Sequence, residues 1–297
     1  MIAQPALFEG LELSDIVNVA QVPKYSPFRY PGGKTWLVPR VRKWLRSLSN
    51  PQTIKFYEPF AGGGIISLTV AFEGLADHIT MVELDAEVAA VWETIIDGDP
   101  DWLANRIVTF GLTPETLQKA LSKKTSKTHE VAFKTILKNR TFHGGILANG
   151  SGVLKHGENG KGIHSRWYAQ TLKKRILHIK QVSDRITFLQ DDGLNIIKKY
   201  RANKNAVWFI DPPYTVKGKG KRAGNRLYKH CELDHDRLFS LVSKAAGNFL
   251  MTYDNDESVR ELAKKYSFDF EAIAMKGTHH AEMTELLIGR DLRWAKS

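Results

Sequence analysis

The stretch FIDPPYT at residues 209–215 places an acid, two prolines and an aromatic ring directly after an apolar run. Proline fixes φ and has no N–H group, so Asp211-Pro212-Pro213-Tyr214 cannot continue a sheet or begin an ordinary helix. A planar ring that carries an amino group fits this rigid corner: the Asp211 carboxylate and the Pro212 carbonyl accept its two N–H bonds, and Tyr214 stacks on its face. Alternatively, Asp211 is a buried acid that caps a loop.

A glycine-rich turn, EPFAGGG at 58–64, follows a strand-like segment and precedes a helix-like one. Glycines at such a junction let backbone N–H groups approach a ligand closely, and a helix N-terminus favours a negative group. The dinucleotide spacing GxGxxG is incomplete, because Gly62 and Gly64 match it but Ser67 occupies the third place. The turn is therefore compatible with a nucleotide-like ligand or with a tight turn that binds nothing.

Two further segments could contribute to such a site. VELD at 82–85 places Glu83 and Asp85 at the end of the next strand-like segment, where an acid can accept hydrogen bonds from ribose hydroxyls. We expect Glu83 to have this role and Asp85 to cap the following helix. SPFRYPGGKTWL at 26–37 carries Lys34 ahead of an amphipathic helix, where the lysine could equally be incidental to the helix start.

The segments that would position these residues alternate between the two regular structures. Helix-like segments occupy 65–75, 86–96 and about 234–246, and strand-like segments occupy 54–60, 78–85, 185–192, 205–214, 248–255 and 284–291. This order is typical of a doubly wound α/β sheet with helices on both faces.

The middle of the chain interrupts that alternation. Helical flanks at 112–122 and 128–140 precede a glycine-rich stretch at 142–168 that has no strand pattern. We therefore predict three parts: an N-terminal arm (1–25), one α/β domain (26–96 plus 181–297) and an inserted domain of helices and loops (97–180).

Positive charge is concentrated in two segments of this 297-residue chain, whose net charge is +11. The segment from Lys119 to Lys180 contains fourteen Lys or Arg and two acids, so the rest of the chain is slightly acidic. A second run, at 217–229, contains six Lys or Arg and no acid. Two such concentrations favour a polyanionic partner over a merely solvated face.

Several classes of protein are disfavoured by composition. A single cysteine, Cys231, excludes an internal disulfide and a CxxC zinc arrangement, and we expect no metal. No apolar run approaches the roughly 20 residues that cross a bilayer, and the start has no signal-peptide pattern. We therefore expect a cytoplasmic protein without a membrane partner.

In these motifs and in their order, the chain resembles the Dam-like family of DNA adenine-N6 methyltransferases. The resemblance extends from about residue 26 to 290 and includes a likeness at 138–152 to the family's recognition region. Its main motifs are PFRYPGGK (27–34), EPFAGGG (58–64, the FxGxG form), VELD (82–85), DPPY (211–214) and LMTYDN (250–255). Two departures are Tyr30, where the best-known relatives have tryptophan, and Glu83-Leu84-Asp85, where many have Asp-Ile-Asn.

The resemblance implies a Rossmann-like methyltransferase sheet and methyl transfer from S-adenosylmethionine to N6 of an adenine flipped out of duplex DNA. Asp211, Pro212 and Tyr214 would be catalytic. Asp191 competes with Asp192 as the partner of the cofactor's adenine. The implied cofactor-binding residues are Tyr30, Lys34, Phe60, Gly62, Gly64, Glu83, Asp192 and Asp211.

The resemblance also implies that the insert recognises the DNA target. The DNA-binding candidates are Asn139, Arg140 and Arg166, by position in the insert, and Lys217, Lys219, Lys221 and Arg222 in the second basic run. The recognition sequence, the oligomeric state and a partner restriction endonuclease stay open. The alternatives are an RNA adenine or cytosine-N4 methyltransferase, although cytosine enzymes more often have serine at the position of Asp211, and a non-catalytic DNA-binding protein.

Overall fold

The structure, a computed structural model, describes residues 21–30, 32–48, 50–147, 150–213, 233–276 and 282–296. Within these residues seven strands form one sheet. They are β1 (Lys55–Glu58), β2 (His78–Glu83), β3 (Ile186–Gln190), β4 (Ala206–Ile210), β5 (Asn248–Asp254), β6 (Asp269–Lys276) and β7 (Glu282–Gly289). Their order is β3-β2-β1-β4-β5-β7-β6, in which β1 to β5 are parallel and β7 is antiparallel to both neighbours.

Helices cover both faces of this sheet. They are α1 (Val38–Ser47), α2 (Ile65–Phe72), α3 (Ala86–Ile96), α4 (Pro100–Thr109), α5 (Pro114–Ser122), α6 (Thr128–Thr141), α7 (Ala169–Ile179), α8 (Gly193–Tyr200), α9 (His235–Ser243), α10 (Glu257–Lys265) and α11 (Arg293–Lys296). Successive side chains of β4 alternate between two cores, since Val207 and Phe209 pack with α1 to α3 and Trp208 and Ile210 pack with α8 to α10. The predicted doubly wound α/β fold is therefore confirmed.

The centre of the sheet is where a ligand is expected. Strand β1 pairs with β2 on one side and with β4 on the other, so the chain leaves β1 and β4 toward opposite edges. In open α/β sheets, ligands bind outside the carboxyl ends of the strands at such a switch point. Glu58 ends β1 and Asp211 directly follows β4, so both predicted motifs lie there.

The predicted insert packs as a continuation of the α/β core. Helix α6 packs on α3 and α4 packs on α7. Buried Phe133 and Leu172 belong to the same hydrophobic cluster as Val91 and Trp92 of α3. The described part of 97–180 contains no strand, only an isolated bridge between Phe142 and Val153. The boundaries of the insert stay a prediction.

Residues 21–25 of the predicted arm pack on α2. Val22 is buried, and the ring of Tyr25 stacks on Phe72 with centroids 4.3 Å apart. Across the described ranges, every helix falls short of the length and apolarity that a membrane crossing requires.

Candidate active site

A cavity of about 780 Å³ lies at the carboxyl ends of the central strands. Its walls come from the segment before α1, the glycine turn after β1, the acids after β2, the start of α8 and the corner after β4. All eight predicted cofactor-binding residues line it: Tyr30, Lys34, Phe60, Gly62, Gly64, Glu83, Asp192 and Asp211. Pro212 and Pro213 line it as well. The fold thus brings motifs far apart in sequence to one place.

The glycine turn is held between two aromatic rings. Gly64 has φ +63°, and a Cβ there would lie 2.6 Å from Met81 Cε and 2.9 Å from Trp92 Cζ2. On the other side, a Cβ at Gly62 would lie 2.6 Å from the Tyr30 ring. Trp92 Nε1 also donates to the Gly62 carbonyl at 2.9 Å. Only glycine fits this turn, and Tyr30 covers it.

Glu83 ties the glycine turn to the end of β2. Its carboxylate accepts the Gly62 N–H at 3.0 Å and the Asp85 N–H at 2.9 Å. Burial raises the pKa of Glu83 to about 7, against the opposing effect of these backbone donors. Asp85 caps α3 by accepting the Glu87 N–H at 2.8 Å, which confirms its predicted role. The ribose-binding role of Glu83 stays a prediction.

Glu58 is a second buried carboxyl group in the cavity wall, and the sequence did not single it out as a site residue. It is 3% exposed and accepts the Ser67 N–H at 2.9 Å together with the Ser67 hydroxyl. Burial raises the pKa of Glu58 to about 8, although the bonds from Ser67 oppose the rise. The serine that interrupts the dinucleotide spacing therefore binds this acid.

Replacing Glu58 with glutamine should stabilise the protein increasingly as pH rises. The folded-state pKa lies above the ordinary value of 4.5, so the unfolded chain ionises first and stability is lost as pH rises from about 4.5 to about 8. Glutamine removes this loss. In urea unfolding, the advantage of Glu58→Gln over the wild type should be smallest near pH 5 and reach on the order of a few kcal/mol at pH 9. A constant difference across this range would contradict the assignment.

Asp211 is fixed by two donors on one oxygen. The Thr252 hydroxyl, fully buried on β5, donates to Asp211 Oδ1 at 2.8 Å, and Lys34 Nζ lies 3.1 Å from the same atom. Lys34 also donates to the Gly32 carbonyl at 3.1 Å and lies 3.4 Å from Glu285. Burial opposes the charge of Lys34, but the carboxylates of Asp211 and Glu285 outweigh it and raise the pKa.

These contacts add a structural role to the one that the sequence predicts for Lys34. The sequence predicts that Lys34 binds the cofactor, yet its ammonium is 3% exposed and binds two protein carboxylates and a backbone carbonyl. An ammonium group has three hydrogens, which these partners can accept, and the cofactor-binding role of Lys34 stays a prediction. Lys34 therefore lines the cavity as a partner of Asp211.

The structure distinguishes Asp192 from Asp191. Asp192 lines the cavity and caps α8 by accepting the Leu194 N–H at 2.8 Å. The Asp191 carboxylate accepts the Asp192 N–H at 2.6 Å and the Asn195 side-chain amide at 3.1 Å, and Asp191 is not part of the cavity wall. Position therefore favours Asp192 as the ligand residue.

The prediction that Asn139 contacts DNA is wrong. The side chain is fully buried, and its amide accepts the Arg29 N–H at 2.9 Å and donates to the carbonyls of Arg29 at 2.8 Å and Gly145 at 2.9 Å. Both amide hydrogens and the amide oxygen are thus engaged inside the protein, and the buried side chain does not reach a base or a phosphate at the surface. Asn139 joins the insert to the segment before Tyr30.

Arg140 lines the cavity together with Arg29 and Arg175. It is 5% exposed, donates to the Pro27 carbonyl, lines the cavity and leaves Nε without a hydrogen-bond partner among the described residues. Burial, together with the charges of Arg175, Arg29 and Arg166, lowers its pKa to about 9. The guanidinium stays charged at neutral pH, so this wall of the cavity favours an anion.

Other residues either lie outside the described part or were missed. Tyr214, Lys217, Lys219, Lys221 and Arg222 lie outside the described residues. Sequence reasoning missed Glu58, Thr252 and Glu285. The signals for the first two were present, since Glu58 begins EPFAGGG and Thr252 lies within LMTYDN. Glu285 lies in TELLIGRD, which has the pattern of an ordinary buried strand.

Comparison with known proteins agrees with this geometry. The family model described as D12 class N6 adenine-specific DNA methyltransferase matches residues 30–278. No curated protein matches the chain. Among solved structures, the rRNA methyltransferase aviRa from Streptomyces viridochromogenes has 12% identity and a TM-score of 0.38, with 95% of this chain and 94% of that one covered.

A second solved structure is similarly distant. Precorrin-6y C5,15-methyltransferase from Geobacter metallireducens GS-15 has 10% identity and a TM-score of 0.33, with 86% of each chain covered. At these scores, neither likeness supports a conclusion about this chain. The identification rests on the family match, which spans most of the sequence.

Proposed function

Since the chain belongs to the D12 class of N6 adenine-specific DNA methyltransferases, we propose that its cavity binds S-adenosylmethionine and that Asp211 and the Pro212 carbonyl hold the amino group of a flipped adenine. Methyl transfer to adenine N6 in DNA follows from the family. The cofactor, the base flipping and the residue roles are the proposal. The observation that supports it is that the glycine turn, Glu83 and Asp211 line one cavity.

The cavity has the features that this cofactor requires. Its volume of about 780 Å³ lies within the range of small-molecule sites. The turn at Gly62 and Gly64 exposes backbone without a Cβ, Glu83 can accept from ribose hydroxyls, and Asp192 can accept from an adenine amino group. When bound, S-adenosylmethionine supplies a methyl group on a positively charged sulfur. The carboxylates of Asp192 and Asp211, which line the cavity, suit that charge.

The segment Asp211-Pro212-Pro213-Tyr214 would activate the nucleophile of the reaction, which is the amino nitrogen of adenine. The adenine amino nitrogen shares its lone pair with the ring and attacks poorly. Two acceptors, the Asp211 carboxylate and the Pro212 carbonyl, bind its hydrogens and return electron density to the nitrogen. Asp211 then accepts the proton that the nitrogen releases. Thr252 fixes the carboxylate and the prolines fix the carbonyl, so both acceptors are held before the base arrives.

DNA binding uses the concentrated positive charge. An adenine within a duplex cannot reach the cavity, so it must flip out at a cost of a few kcal/mol. The basic insert neutralises phosphates, and Arg140 and Arg166 remain candidates for such contacts. Tyr214 would stack on the flipped base, and Lys217, Lys219, Lys221 and Arg222 would contact its strand. A partner restriction endonuclease and a cytoplasmic location fit this function.

Sequencing DNA from a methylation-free host that expresses the chain tests the proposal. We expect N6-methyladenine at a fixed sequence context. Purified protein with methyl-labelled cofactor should label duplex DNA, and the Asp211→Ala variant should not. Label in RNA in preference to DNA, or at cytosine, would replace the proposal with one of the alternative methyltransferases. No label in any substrate would contradict it.

A further inference from the structure

Glu285 lies close to the reacting group although no motif points to it. It is 5% exposed on β7, and its carboxylate oxygens each lie 3.4 Å from Lys34 Nζ. Lys34 Nζ lies 3.1 Å from Asp211 Oδ1, so one ammonium bridges two carboxylates. Thr252 completes the cluster by donating to that same oxygen of Asp211.

The charges of this cluster bear on how well Asp211 accepts a proton. The Lys34 ammonium, 3.1 Å from Asp211 Oδ1, competes with the amino group of the base for that carboxylate. A second carboxylate on the other side of the ammonium offsets this effect. With Glu285 ionised, the three groups together carry one negative charge, which attracts the positive charge that moves from the donor sulfur to N6.

We propose that Glu285 is a positioning residue that acts through Lys34 to hold Asp211 in place and to keep it a strong acceptor. The inference rests on the proposed function. In the step concerned, the N6 lone pair forms a bond to the methyl carbon and the carbon–sulfur bond breaks with its electrons staying on sulfur. The N6–H bond then breaks, its electrons remain on nitrogen and Asp211 takes the proton.

The test is the variant Glu285→Gln, which keeps the shape of the side chain and removes its charge. The single-turnover rate on duplex DNA should fall about 10- to 100-fold at pH 8. Dissociation constants for DNA and for the cofactor should change less than about threefold. The unfolding temperature at pH 8 should stay equal or rise, because burial disfavours the ionised Glu285 carboxylate and Lys34 keeps Asp211 as its partner. Glu261→Gln, an exposed carboxylate on α10, is the matched control and should match the wild type.

The pH dependence separates this role from a structural one. The charged groups that act on Glu285 are Lys34, Asp211 and Asp254, and its neighbour on β6 is the apolar Ile273. Burial raises the pKa of Glu285 to about 7, while Lys34 opposes the rise. Below about pH 7 the Glu285 carboxylate of the wild type becomes protonated, so the wild type then resembles the uncharged variant. The ratio of wild-type to variant rates should therefore be largest near pH 8.5 and approach one near pH 5.5.

Each outcome has a distinct meaning. A variant rate within about threefold of the wild type, or a ratio that does not change with pH, overturns the role of Glu285. A rate loss matched by a lower unfolding temperature also overturns it, since the effect is then structural. Glu285→Asp should recover part of the rate because it restores the charge. Absence of transfer by the wild type itself would instead overturn the proposed function.

Discussion

Replacing Asp211 with alanine lowers methyl transfer by about a thousandfold or more, while the affinity for DNA changes by less than about threefold. The reason lies in the proposed mechanism, in which Asp211 supplies both a hydrogen-bond acceptor for the adenine amino group and the base for its proton. Single-turnover transfer from labelled cofactor measures the rate, and a gel-shift titration measures the affinity.

Two further variants sharpen this expectation. Asp211→Asn keeps the shape but loses the charge, and it should be nearly as inactive as the alanine variant because an amide accepts no proton. Asp184→Ala, an exposed acid ahead of β3, should transfer at the wild-type rate. If Asp211→Ala keeps its turnover, the corner after β4 takes no part in the reaction.

Replacing Gly64 with alanine destabilises the fold by about 2–4 kcal/mol. An alanine there would adopt a φ of +63°, which costs about 1–2 kcal/mol, and its Cβ would overlap the side chains of Met81 and Trp92. Urea unfolding followed by tryptophan fluorescence measures the loss. The variant should also bind the cofactor more weakly, because Trp92 holds the turn through the Gly62 carbonyl.

Gly111→Ala is the matched control for this substitution. A Cβ at Gly111 meets nothing within 4 Å and the residue is exposed, so alanine there should be neutral or slightly stabilising. Equal effects at the two glycines would show that the turn between Tyr30 and Trp92 tolerates a side chain, and the geometry described for it would be wrong.

The sequence predicts those helices and strands whose ends and faces are marked by nearby residues, such as capping acids, prolines and regularly spaced apolar side chains. Helix α3 was predicted at 86–96 and lies at Ala86–Ile96, where an acid caps its start and apolar residues repeat at helical spacing. The strand-like segment at 205–214 contains β4, which ends at Ile210 as the following prolines predict, because they lack the N–H groups that further pairing needs. Strand β6 was missed, since it is an edge strand in which Glu271 follows Phe270 and the apolar pattern is weak.

The candidate site could be predicted only in part, for reasons that are tertiary. The roles of motif residues such as Gly64 and Asp211 can be predicted from the residues that flank them in the sequence. Glu285 contacts Lys34 although the two residues are 251 positions apart in the sequence, and the order of the strands in the sheet brings them together. The error at Asn139 has the same origin: its neighbours are basic, but its burial depends on the distant segment at Arg29.

The bonds between the insert and the segment 26–29 have a thermodynamic consequence. Asn139 and Arg140 of α6 and Arg175 of α7 all bind backbone atoms of that segment, which leads directly into Tyr30. In the proposed function, a displacement of the insert by duplex DNA would pass through these bonds to the ring that covers the glycine turn. Thermodynamic linkage then requires that the two effects be equal. The factor by which bound DNA changes the affinity for the cofactor must be the factor by which bound cofactor changes the affinity for DNA.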